Sequence, residues 1–169
     1  MNNILKKYIT LILNENTKNI NHIEKLNVFD FDMTIYNPHE KTWNESVINN
    51  IYTSINNSCC RTILCTARSE DNQIVQETER ILNQKNISLY KKGIFEFEFD
   101  KFYFKPLNIK SSVESYKSNV ILNEIDIYDI KEINFFEDNV KNLQKIKEDL
   151  YKYEYIIYNS YLINSENFS

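Results

Sequence analysis

Three short, largely apolar runs, Leu26–Phe31, Arg61–Thr66 and Ile133–Glu137, alternate along the chain with stretches whose apolar residues recur at helical spacing. This alternation restricts the fold more than any other feature. A capping box, Thr42-x-x-Glu45, predicts a helix running to about residue 57. Ser69 can cap the next, whose stripe is Ile74, Val75, Thr78, Ile81 and Leu82. Ser111-x-x-Glu114 opens a third helix, with Val113, Tyr116, Val120 and Ile121 inward and Lys117 in its second turn. A helix from Asn139 to Tyr151 and a strand from Tyr155 to Tyr158 complete the series. Repeated strand–helix units imply an α/β fold, a Rossmann-like three-layer α/β/α sandwich around a mostly parallel sheet.

Three stretches stand outside this rhythm. Ile4, Leu5, Tyr8, Ile9 and Ile12 predict a helix over 3–13, followed by an Asn-rich connector over 14–22. After Gly93, Phe95, Phe97 and Phe99 alternate with Glu96, Glu98 and Asp100, which predicts a half-exposed strand and a hairpin within 88–105. The polar tail from Asn164 is expected to fray. At 169 residues the chain fits one domain, with its catalytic core over 26–160.

A formal net charge of −4 with both signs interspersed gives no global attraction to nucleic acid or anionic lipid. A polyanion therefore needs a local patch, and Lys91, Lys92, Lys101 and Lys105 come nearest to one. Three cysteines, two of them adjacent, make neither a disulfide framework nor a zinc spacing, so a reducing, cytoplasmic setting is expected. The apolar run Tyr8–Leu13 is too short for a signal segment, and no stretch spans a bilayer. Neither membrane association nor a protein partner can be inferred.

In a parallel sheet the carboxyl ends of the strands converge on the ligand crevice. Asp30, Asp32, Thr66, Glu137 and Asp138 all fall at such ends. The segment Val28-Phe29-Asp30-Phe31-Asp32-Met33-Thr34 carries Asp-x-Asp-x-Thr directly after an apolar strand. Leu64-Cys65-Thr66-Ala67-Arg68 ends the second strand, and Phe135-Phe136-Glu137-Asp138-Asn139 ends the later one. With a lysine on the helix between them, these motifs stand in the order found in the haloacid dehalogenase (HAD) superfamily, which the chain resembles. Ala67 replaces the glycine of that family's second motif, which is tolerable unless the backbone there needs a positive φ. Lys117, 21 residues before Asp138, is the preferred third-motif lysine, with Lys105 as the alternative.

The resemblance implies a Mg²⁺-dependent phosphohydrolase, and the chemistry agrees. A carboxylate attacking a phosphate dianion needs a metal and a cation to neutralise the repulsion. Asp30 is then the nucleophile that forms an aspartyl-phosphate. Asp32 protonates the leaving oxygen and later deprotonates water. Thr66 and Lys117 hold the phosphoryl oxygens, and Ala67, Arg68 and Lys105 meet the substrate. Asp30, Asp138, the backbone carbonyl of Asp32 and Glu137 are the candidate Mg²⁺ ligands. Glu137 has alternatives, capping the next helix or binding a cation. Arg68 equally fits a substrate phosphate or a flap carboxylate, and Asn142 a metal site or a helix surface. Trp43 and the phenylalanine stripe read as packing rather than as base platforms.

Only 33 residues separate Asp32 from Thr66, too few for a large cap domain. The site is therefore expected to be open and to admit a large phosphorylated substrate. Leu-x-Thr-Ala-Arg, then Phe99 to Pro106, then Glu-Asp is similar to the Swiss Army Knife RNA repair-like and polynucleotide phosphatase branches, with Asn139 where the former has Arg. That implies RNA or DNA ends as substrate. A nucleotidase, a phosphoprotein phosphatase and a non-catalytic binding protein are the alternatives.

Overall fold

The computed structural model describes residues 23–90 and 93–169. The expected helix over 3–13, its connector, and Lys91 and Lys92 lie outside the described residues. Strand β1 (Lys25–Phe29) is followed by two short strands, β2 (Tyr36–Asn37) and β3 (Thr42–Trp43), and helix α1 (Glu45–Ile55). Next come β4 (Cys60–Ser69), α2 (Asn72–Leu82), β5 (Ile87–Ser88), β6 (Phe97–Glu98) and β7 (Lys101–Lys105). Helix α3 (Val113–Ile127), β8 (Glu132–Glu137), α4 (Val140–Asp149) and β9 (Ile157–Leu162) complete the order.

Five strands form the central sheet in the order β7-β4-β1-β8-β9, every neighbouring pair parallel. The apolar runs are strands because both sheet faces are covered, so successive residues are buried on opposite sides. Val28, Ile63 and Phe135 pack with Ile121 of α3 and Ile146 of α4. Their neighbours Phe29, Leu64 and Phe136 pack with Ile48 of α1 and Leu82 of α2. This is the expected three-layer arrangement. From β1 the chain runs outward through β4 to β7, then crosses to β8 and β9 on the other side. The order thus reverses between β1 and β8, and there a crevice opens at the strand ends.

Several boundaries move for stereochemical reasons. An N-cap oxygen must reach an N–H of the first turn, and Asn44 (to Val47), Asp71 (to Gln73) and Ser112 (to Ser115) do this. Thr42 instead lies in β3, and Ser69 ends β4. Among the described residues of 88–105 the predicted hairpin does not form. β5 and β6 pair in parallel, and β7 joins the central sheet beside β4 as its parallel edge strand. The Thr62 carbonyl and the Asp100 N–H meet at 2.9 Å, and the Asp100 carboxylate accepts the Thr62 N–H at 2.9 Å, which starts β7 alongside β4. The strand expected from the Phe95, Phe97 and Phe99 alternation shrinks to Phe97–Glu98, both half-buried, and only Phe99 is fully buried; strand direction is not contained in such a pattern. The terminal residues do not hang free either: Ser169 exchanges two backbone hydrogen bonds with Trp43. No large cap interrupts the described core. Between Asp32 and α1 the chain forms the β2–β3 flap, where Trp43 packs on Tyr36. No helix among the described residues is long and apolar enough to cross a membrane.

Candidate active site

β1 ends where Asp30 donates its N–H to the Phe136 carbonyl, fixing Asp30 against the end of β8. The chain then folds back tightly. The Phe31 carbonyl accepts the N–H groups of Thr34, Ile35 and Tyr36, and Met33 takes a left-handed φ of 57° to let them converge. A non-glycine residue in that region carries strain, which such a closed hydrogen-bonded loop can hold. The turn keeps Asp32 near the mouth that Asp30 faces.

Lys117 enters from the second turn of α3 with its side chain 1% exposed. Its Nζ lies 2.6 Å from Glu137 Oε2 and 2.9 Å from Asp30 Oδ1. The second contact is an ion pair without hydrogen-bond alignment, since Asp30 Oδ1 has no aligned donor among the described residues. The other Glu137 oxygen accepts the N–H groups of Asp138 and Asn139 at 3.2 and 3.1 Å. Glu137 thus clamps the lysine and ties down the turn into α4, whose N-cap is Asn139, with its Oδ1 accepting the Lys141 N–H. Asp138 is exposed beside them, and one ligand atom from each of Asp30, Glu137 and Asp138 lies within 4.8 Å of the others.

Two buried acids share one buried cation, and the acidity follows. Burial pushes the Asp30 carboxyl up to about 7, against the opposing pull of Lys117 and with a further push from Glu137. Burial likewise raises Glu137. For Lys117 burial acts downward, but the charges of Asp30 and Glu137 prevail and hold it above the ordinary lysine value. The lysine is therefore a fixed cation.

A cleft of about 450 Å³ opens over this group, lined by Asp30, Asp32, Ala67, Lys117, Asp138 and Asn142 among others. Asn142, read as either a metal-site or a helix-surface residue, is buried in it, and its Oδ1 has no hydrogen-bond partner among the described residues. An orphaned oxygen beside two carboxylates is a donor set of hard oxygens suited to a hydrated Mg²⁺. The residues present fit that ion.

The remaining predicted residues are distributed as follows. Ala67 lines the cleft and is absent from the residues with positive φ, so the lost glycine costs no backbone strain there. Thr66 is buried at the same sheet end, one residue past the level of Asp30, but does not line the cleft; its Oγ1 accepts the Arg68 N–H. Arg68 grips both oxygens of Asp32 at 2.8 and 2.9 Å, donates to Thr78, and lies over the Phe31 ring. Its guanidinium is thus engaged with an Asp rather than open to the cleft. Lys105 also stands outside the lining, at the end of β7. Sequence reasoning missed Met33 and Val113 as lining residues, and read Glu114 only as part of a capping box. The motif spacing around Asp32 and the first turn of α3 was the one signal for them.

An acid pair after β1, a buried lysine and a second acid pair after β8, all at the reversal point of a parallel sheet, define a HAD-type fold and site. The chain belongs to HAD domain family 1 of Swiss Army Knife RNA repair proteins, which matches it over residues 10–165. No curated protein and no solved structure matches it. Membership supports phosphohydrolase chemistry of the HAD type, a class that generally uses Mg²⁺.

Proposed function

We propose that the protein removes a terminal phosphate from a polynucleotide, in the cytoplasm, through an aspartyl-phosphate on Asp30. The carrying observation is the buried Asp30–Lys117–Glu137 group, opening with Asp32 and Asp138 into a cleft that no large cap covers. A carboxylate oxygen of Asp30 attacks phosphorus as the bond to the leaving oxygen breaks, and Asp32 gives that oxygen its proton. Asp32 then takes a proton from water, which attacks the phospho-Asp30 and releases phosphate with the carboxylate restored. Lys117 faces the phosphoryl group as a permanent cation, and Glu137 keeps it aimed. Ala67 bounds the phosphoryl pocket on the β4 side, Thr66 lies buried behind it as the acceptor of the Arg68 N–H, and Arg68 holds Asp32 in place.

Asp30 and Asp138 would hold Mg²⁺ directly, with the Asp32 carbonyl, Glu137 and Asn142 around them. When bound, the ion supplies charge neutralisation to the phosphoryl oxygens. The polynucleotide reading draws on the open cleft and on the RNA repair family.

The test is phosphate release, with Mg²⁺, from oligonucleotides bearing 3′ or 5′ phosphates, mononucleotides, a phosphopeptide and an aryl phosphate, beside Asp30→Asn. Release from oligonucleotides, lost in Asp30→Asn, is expected. Release from mononucleotides or the phosphopeptide alone would replace the substrate, and release from none by folded protein would leave a binding protein.

A further inference from the structure

A second cleft, of about 430 Å³, lies along the outer edge of the sheet, lined by Glu70, Tyr90, Phe102, Tyr103, Phe104 and Tyr116 among others. Its volume is within the roughly 300 to 1,000 Å³ of small-molecule sites. The two clefts draw their linings in part from the same elements. The first two turns of α3 give Val113, Glu114 and Lys117 to one and Tyr116 to the other. The end of β4 gives Ala67 to one, and Glu70, just beyond it, to the other.

The aromatic lining is already arranged. Tyr90, 38% exposed, packs edge-on against Phe102, which packs edge-on against Phe104. Tyr103 is pinned at its hydroxyl by Glu124. Tyr116 is 6% exposed, and its buried hydroxyl has no hydrogen-bond partner among the described residues. A buried hydroxyl left unpaired is unfavourable, so a ligand that bonds it gains what the free protein lacks.

The charges say what kind of ligand fits. The Glu70 carboxylate opposes a phosphate inside the groove but can accept from an amino group. A cation is at hand at this edge of the sheet instead: Lys105 ends β7, directly after the groove residue Phe104. The Glu114 carboxyl is held low first by Ser112, and in smaller part by Lys141 and Lys105. A flat, uncharged, amino-bearing group in the groove, an anionic link past Lys105 and a phosphate at Asp30 together describe the end of a nucleic acid strand.

We infer that this groove seats the nucleobase next to the terminal phosphate, stacked against Tyr90 and hydrogen-bonded by the Tyr116 hydroxyl. The choice of a nucleic acid rests on the polynucleotide reading above; the groove's ability to hold a base can be tested apart from it. An unphosphorylated oligonucleotide with 2-aminopurine at one end is titrated with the protein in the absence of turnover, and its fluorescence quenching on stacking is followed. Quenching is expected, with affinity at least about fivefold weaker in Tyr90→Ala and in Tyr116→Phe, as for loss of one stacked base or one buried hydrogen bond. Tyr116→Phe removes one oxygen from the interior, so a thermal melt will find it folded. Phosphate release from the phosphorylated oligonucleotide, measured in parallel, reports on the catalytic reading alone. Quenching without release sinks that reading and leaves the groove standing. Release without quenching, or with affinity unchanged in both variants, overturns the groove. Binding of an extended peptide instead, weakened by Tyr90→Ala, overturns it in favour of a strand added to the edge of β7.

Discussion

Helix α3 buries two charges seven residues apart on one face, Lys117 and Glu124, and each anchors an ionic group against the sheet. Around Glu124 the books are balanced: one carboxylate receives Arg61 through two contacts and the Tyr103 hydroxyl, and Arg61 also lies over the Tyr128 ring. Around Lys117 they are not. One cation serves two carboxylates, a third acid stands exposed beside them, and two oxygens, Asp30 Oδ1 and Asn142 Oδ1, lack an aligned donor among the described residues. The balanced group is closed to solvent and reads as structure. The unbalanced one opens into a cleft and holds unmet demand for positive charge, which a metal and a phosphoryl transition state can satisfy.

The widest separation between the two groups is expected from Asp30→Asn. It removes the attacking carboxylate, and phosphate release should fall by about a thousandfold or more. Circular dichroism should show the fold unchanged, because the amide keeps the volume. Loss of less than about tenfold would mean that Asp30 forms no covalent intermediate.

The same imbalance has a pH signature in metal-free protein. Asp30 is raised from an ordinary 3.8 to about 7, so the folded state binds its proton more tightly than the unfolded chain does. Its contribution to stability is present below the unfolded value and is lost as pH rises through about 7. Asp30→Asn should therefore gain stability relative to the wild type between about pH 4 and pH 8, measured by urea denaturation in chelator. Added Mg²⁺ should narrow the gap by favouring the carboxylate. A constant difference across that range would deny the unmet charge.

For the balanced group, Glu124→Gln leaves Arg61 buried without an anion and should cost about 3 kcal/mol, read from the same denaturation curves. Turnover per folded molecule should not change. A fall in turnover at full folding would tie the Glu124 group to the site and erase the distinction.

Much of this was legible in the chain. The apolar runs announced strands because both faces of the sheet are covered, and the acids at their ends announced the crevice because parallel strands deliver them to one edge. Lys117 was preferred over Lys105 because helical periodicity placed it one turn inside α3. What stayed hidden depended on which elements meet across the fold. That Glu137 serves Lys117 and the turn into α4, that Asn142 is buried, and that β7 runs parallel to β4 are facts of tertiary approach. The caps shifted by one or two residues because Thr42, Ser69 and Ser111 have as good a local pattern as Asn44, Asp71 and Ser112, and only the path of the backbone decides between them.

The smallest effect is expected at Arg68, where the two sequence readings, substrate contact and partner of an acid, divide. Its fork meets both oxygens of Asp32 while its remaining nitrogen holds Thr78, a geometry that lysine cannot reproduce with one ammonium. If Arg68 positions Asp32, Arg68→Lys should lower kcat by about tenfold and leave KM nearly unchanged. The loss should be deeper for alkyl phosphates, which need a proton on the departing oxygen, than for aryl phosphates with good leaving groups. If Arg68 instead lets go of Asp32 to bind the substrate, KM should rise and the leaving group should make no difference. The Phe31 ring under the guanidinium and the bond to Thr78 favour the first outcome, because an arginine held from three sides gains little by moving.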